Sequence, residues 1–113
     1  MPLSRDLFLG FVRMHILYHA GEEPVYGAWL MEELARHGYA LSPGTLYPML
    51  HSLEDEGMLK RERRVVKGKV RKYYTLTEDG RTALEEGRKR ALELLREISP
   101  GSLRVVDEVQ GKA

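Results

Sequence analysis

Apolar residues recur at helical spacing along most of the chain, and one central stretch departs from it. Leu7, Phe8, Leu9, Phe11, Val12, Met14, Ile16, Leu17 and Tyr18 surround most of a first helix, predicted from about Ser4 to His19. Ser4 suits the N-cap, Asp6 lies at the positive end of the dipole, and Gly21 is a plausible stop. A helix apolar nearly all round must be covered on more than one side, which in so short a chain hints at a subunit interface. Glu22-Glu23-Pro24 leads to a second helix, about Tyr26 to His37, whose Leu30, Met31, Leu34 and Ala35 form one apolar face before Gly38 ends it. A third helix begins with Ser42 at the N-cap and Pro43 at the first helical position. Leu46, Met49, Leu50 and Leu53 share one of its faces, and Gly57 closes it. Pro48 lacks the N–H that would bond back to Gly44, which predicts a local bend.

The departure comes at Leu59–Val66 and Val70–Leu76, two strands rich in Val and Tyr around a Lys67-Gly68-Lys69 turn. Tyr73 and Tyr74 fall on opposite faces of the second strand, so one packs inward and the other outward. Thr77 then caps a long helix with Glu78 and Asp79 in its first turn, running to about Ile98 before Ser99-Pro100-Gly101. The fold class is therefore mainly α with a small β-hairpin (α+β): a winged helix-turn-helix over residues 1–77, a dimerisation helix over 78–99 and a tail over 100–113. Leu84, Gly87, Ala91, Leu94 and Ile98 recur at heptad-like spacing with Leu92 and Leu95 beside them, and Gly87 and Ala91 are small enough for close helix approach.

Charge sharpens this outline. The formal net charge is only +1, yet Lys60–Lys72 carries eight cations against Glu62. That stretch holds +7, leaving −6 for the remainder. Such segregation suits a small patch that meets a polyanion. In a winged helix the third helix enters the DNA major groove. About the Leu46 face, a step of about 100° per residue points Gly44, Pro48, His51, Ser52 and Asp55 outward, with Thr45 and Tyr47 at the flanks. Ser42, Thr45, Tyr47 and His51 can hydrogen-bond to base edges. Glu54, Asp55 and Glu56 keep the end of that helix away from phosphate, so only its first two turns enter the groove. Lys67, Lys69 and Arg71 lie at or beside the hairpin tip, and Arg63, Arg64 and Lys72 lie further back; all six are candidate phosphate contacts.

The run Ser42-Pro43-Gly44-Thr45-Leu46-Tyr47-Pro48-Met49-Leu50, continued by Leu53-Glu54-Asp55-Glu56-Gly57-Met58-Leu59, resembles the pattern of PadR-type transcription regulators. So do Arg71-Lys72-Tyr73-Tyr74-Thr75-Leu76-Thr77-Glu78-Asp79-Gly80-Arg81 and Tyr26-Gly27. The resemblance covers about Leu3 to Ile98. It implies a homodimeric repressor on double-stranded DNA with a palindromic operator, released by a small molecule or stress signal. It also implies the compact branch, which dimerises through its last helix and its first. Leu7 and Phe11 thereby join Leu84, Gly87, Ala91, Leu94, Leu95 and Ile98 as the expected dimer interface.

Several residues admit two readings. Trp29, with Phe8, can wall a site for a small hydrophobic or aromatic effector, or it can be core packing, which is the simpler reading. Tyr47 can contact DNA or brace its helix. His15 and His19, four apart with Glu22 and Glu23 following, have metal-ligand spacing but no third ligand at fixed spacing, so packing is expected and no metal or cofactor. No Gly-rich phosphate loop, nucleophile motif or paired carboxylates point to an enzyme. Cysteine is absent. The longest apolar stretch, Leu7–Tyr18, is short and broken by Arg13 and His15, so a cytoplasmic protein without a membrane span is expected. A winged helix that binds protein instead of DNA is the alternative, and the +7 hairpin argues against it.

Overall fold

The computed structural model describes residues 3–101. The elements are α1 (Arg5–Glu22), α2 (Gly27–Arg36), α3 (Pro43–Asp55), β1 (Leu59–Val66), β2 (Lys69–Leu76) and α4 (Glu78–Ile98). Most of the expected tail, residues 102–113, lies outside the described residues.

The Ser4 side chain caps α1, its hydroxyl oxygen accepting from the Leu7 N–H at 3.3 Å. The helix does not stop at Gly21 but runs through it to Glu22. A Cβ on Gly21 would stand 2.9 Å from Leu76 Cδ2, so this glycine permits a close approach instead of ending the helix. Helices α2 and α3 do end on glycine. Gly38 (φ +91°) and Gly57 (φ +81°) occupy the left-handed region. Tyr39 N–H donates to the Leu34 carbonyl at 2.8 Å and Met58 N–H to the Leu53 carbonyl at 2.9 Å, closing both ends as Schellman motifs.

Ser42 is the N-cap of α3, but its hydroxyl makes no cap bond. It donates to Thr45 Oγ1 at 3.3 Å, while the Ser42 carbonyl accepts from Thr45 and Leu46 N–H. Pro48 sits inside an unbroken helix.

Strands β1 and β2 pair antiparallel from Leu59↔Leu76 to Val66↔Lys69. The turn is therefore two residues, not three, and Lys69 belongs to the strand. Lys67 (φ 52°) and Gly68 (φ 77°) both take positive φ, as a type I′ turn requires. Val25, in the loop before α2, pairs with Tyr74 through N–H to carbonyl bonds of 3.0 and 2.7 Å, fastening the hairpin to the helices.

One core holds these parts together. Val12 and Ile16 of α1, Leu30 and Leu34 of α2, and Leu46 and Leu50 of α3 are fully buried with Tyr74 of β2. Tyr74 points inward and Tyr73 to the other face, so only the base of the hairpin joins the core. At the tip, Val65 and Val70 are exposed.

Thr77 ties the hairpin and α3 to α4. Its hydroxyl donates to the Gly57 carbonyl at 2.5 Å and accepts from Gly80 N–H at 2.9 Å. A Cβ on Gly80 would overlap the Met58 carbonyl oxygen and approach Leu76 Cδ1 to 2.5 Å. The backbone cannot retreat without breaking that cap. Gly80→Ala is expected to cost about 1–3 kcal/mol of stability. Thermal melting would show it, and an unchanged transition would contradict this packing.

Candidate nucleic-acid interface

Two surfaces meet at the solvent side of α3. On the helix, Ser42, Gly44, Tyr47, Pro48 and His51 are exposed, while Thr45 and Ser52 are half-buried. Gly44 has only Ser42 Oγ near a notional Cβ, at 3.8 Å, so the start of α3 is open to a close-lying surface. The Ser52 hydroxyl donates to Glu56 Oε1 at 3.3 Å and is thus engaged within its own helix.

Tyr47 braces its helix and keeps an exposed edge. Its ring lies so close to Gly27 that a Cβ there would stand 2.5 Å from the phenol oxygen. The side chain braces α3 against the start of α2, yet the residue remains 40% exposed. Beside it, a groove of about 380 Å³ runs between Tyr26, Tyr47, Arg71 and Lys72.

The hairpin concentrates charge by its register. Arg63 faces Lys72 and Arg64 faces Arg71 across the strands. Like charges placed directly opposite one another are destabilising, so this ribbon is folded at a cost that an anion would relieve. Arg64 is partly compensated by Glu62 at 3.3 Å. Arg63, Lys67, Lys69 and Lys72 form no ion pair among the described residues. Aromatic rings hold two of the guanidinium groups in place. Arg71 lies over Tyr26 at 4.2 Å, Tyr26 meets Tyr73 edge-on at 5.4 Å, and Arg64 lies over Tyr73 at 4.8 Å. Periodicity places Tyr26 at the start of the second helix, where it is the N-cap. Its role in this ladder depends on a contact between α2 and β2 that periodicity does not reveal.

Arg61 has a different task. It pairs with Glu54 of α3 at 3.5 Å, at the base of the hairpin. This explains one member of the acidic run at the end of α3: Glu54 anchors the wing. Burial pushes the nearby Tyr74 hydroxyl above its ordinary pKa, with the Arg61 charge opposing.

A second cavity, of about 490 Å³, opens between α1, the end of α2 and α4. Phe11, Met14, Tyr18 and Leu84 supply apolar wall, and three histidines complete much of the rest. Phe8 and Trp29 do not line it. Phe8 packs on Tyr39 at 5.1 Å and Trp29 meets His19 edge-on at 5.5 Å, both half-buried against the core. In the protomer Trp29 packs against the core.

Among the expected dimer residues, Leu84 packs on the core and Gly87 faces Met14 of its own α1, where a Cβ would lie 2.5 Å from Cε. Its smallness serves contact within the protomer. Leu7, Phe11, Leu94, Leu95 and Ile98 stand exposed, and Ala91 is exposed beside them.

The family model for the transcriptional regulator PadR-like family matches residues 16–86, from the middle of α1 through the hairpin into α4. The chain belongs to the PadR-like family of transcriptional regulators. The chain is 56% identical over 97 residues to the transcriptional regulator Rv3488 of Mycobacterium tuberculosis, covering 86% of this chain and 91% of that one. A PadR family regulator from Eggerthella lenta superposes with a TM-score of 0.74 at 34% identity, covering 84% of each chain. A PadR-like regulator from Bacillus cereus superposes at 0.73 with 30% identity, covering 88% of this chain and 97% of that one. The three-helix, hairpin and long-helix order is thus the PadR-like winged helix, with α2 and α3 as its helix-turn-helix and β1–β2 as its wing.

Proposed function

We propose that this regulator is a repressor that binds a palindromic operator as a homodimer in the cytoplasm. The observation that carries the reading is the paired cations of the wing, Arg63 opposite Lys72 and Arg64 opposite Arg71, next to the open start of α3. Phosphates would neutralise the wing while Thr45, Tyr47 and His51 reach base edges. Gly44 and Pro48 leave room for the approach, and Ser42 sits at the positive end of α3, where an anion is favoured.

A homodimer accounts for the exposed apolar residues of α4 and for Leu7 and Phe11 of α1. Two copies also place two wings and two recognition helices on one duplex. The 490 Å³ cavity beside that surface suits release by a small hydrophobic or aromatic effector. No helix among the described residues is long and apolar enough to cross a membrane.

Selection of bound duplexes from a random pool tests the reading. The expected winner is a palindrome. Thr45→Ala and His51→Ala are expected to change which bases win, by about 1–3 kcal/mol at the affected positions, and to leave affinity for random duplex nearly intact. Enrichment of no duplex, or equal losses on winning and random sequences, would defeat it.

A further inference from the structure

We propose that His15, His19 and His37 form a binding site for a divalent transition-metal ion of the zinc class, one that clamps α1 to the end of α2. His15 and His19 are one helical turn apart on α1 and share a face. His37, the C-cap of α2, is the third ligand that sequence spacing could not supply. Folding brings its ring to 4.9 Å from that of His15 and 6.1 Å from that of His19. The candidate ligand atoms of all three lie within 4.8 Å of one another. A tetrahedral ion about 2.1 Å from each nitrogen needs them about 3.4 Å apart. Modest side-chain rotations close that gap, since His15 and His19 are only half-buried and His37 is exposed.

A second observation points the same way. His19 Nε2 is buried without a hydrogen-bond partner. A buried, unsatisfied ring nitrogen is costly, and an ion is one way to satisfy it. The neighbours also suit a ligand set. Glu33, almost wholly buried, accepts from Arg36 at 2.9 Å and stands 4.0 Å from His37 Nε2. A carboxylate behind an imidazole steadies its orientation and raises its basicity. Metal ligands must be neutral imidazoles. Burial, followed by the charges of the neighbouring histidines, lowers the pKa of His15; burial also lowers that of His19, against Glu33 and Glu22.

Three histidines leave a coordination position free, and all three line the 490 Å³ cavity. A water or a donor atom of a second molecule would complete the sphere there. The consequence for the fold is mechanical. Helix α2 is the first helix of the DNA-binding pair, whereas α1 carries the exposed Leu7 and Phe11. An ion between them fixes the helix-turn-helix relative to that surface.

The test uses the full chain without a histidine tag, stripped of metal and titrated with cobalt(II). The expected result is a saturable visible absorption at a single ion per chain, of tetrahedral or five-coordinate intensity, displaced by zinc(II). His19→Gln and His37→Gln should each weaken binding by at least about tenfold. Zinc should raise the melting temperature of the parent and not of His37→Gln. The His37 side chain is 46% exposed, so that variant is expected to fold, and far-ultraviolet dichroism checks it. Absence of saturable binding, or equal affinity in the parent and a folded His37→Gln, would overturn the site. Neither outcome bears on DNA binding, which is measured separately.

Discussion

Replacing Lys67, Lys69 and Arg71 together by alanine is expected to weaken binding to every duplex, specific or random, and to flatten the salt dependence. Each phosphate neutralised by a cation contributes about 0.9 to the slope of log K against log salt. Three such contacts per protomer make the slope shallower by about three units for each wing bound. Affinity at moderate salt should fall on the order of a hundredfold or more. Lys67 and Lys69 are exposed, and Arg71, though stacked on Tyr26, lies outside the core, so melting should change little. Arg61→Ala is the internal contrast. Its charge is already committed to Glu54, so its loss should loosen the base of the hairpin and leave the salt slope close to that of the parent. A triple variant with an unchanged slope would remove the wing from the interface.

The other large effect is expected at the far end of α4. Leu94 and Ile98 are 51% and 65% exposed in the protomer, so changing both to glutamate leaves the protomer core untouched. Across a two-fold axis the same change buries four uncompensated carboxylates against apolar surface, which costs several kcal/mol. The variant is expected to sediment as a monomer. It should then hold a palindromic operator through one half-site, with affinity lower by about 10²–10⁴. Random duplex bound by a single wing should lose much less. A variant that keeps the mass of a dimer would place the interface elsewhere. A monomer that retains full operator affinity would remove the need for two-fold binding.

The wing and recognition helix were legible for a common reason: their evidence is local. Eight cations in thirteen residues, a turn with glycine in it and the apolar face of Leu46, Met49, Leu50 and Leu53 all lie within short stretches. The glycines show where such reading stops. Gly38 and Gly57 were recognised as helix ends, because a left-handed residue after a helix is a local requirement. Gly21 is no helix stop, and Gly87 makes a contact inside the protomer that spacing does not show. One is small because Leu76 packs on it and the other because Met14 does, and neither neighbour is near in sequence.

The amino-acid order by itself determined the element sequence, the boundaries to within a few residues, the separation of charge and the family pattern. These follow from backbone propensity, capping and periodicity, which act over a few residues. Tertiary structure alone decided which faces met. It put Tyr26 between Arg71 and Tyr73, turned Phe8 and Trp29 away from the cavity, set Arg64 opposite Arg71, and carried His37 to His15 and His19. Each depends on how α1, α2 and the hairpin close over one shared core, and close packing, unlike periodicity, is a property of the whole chain at once.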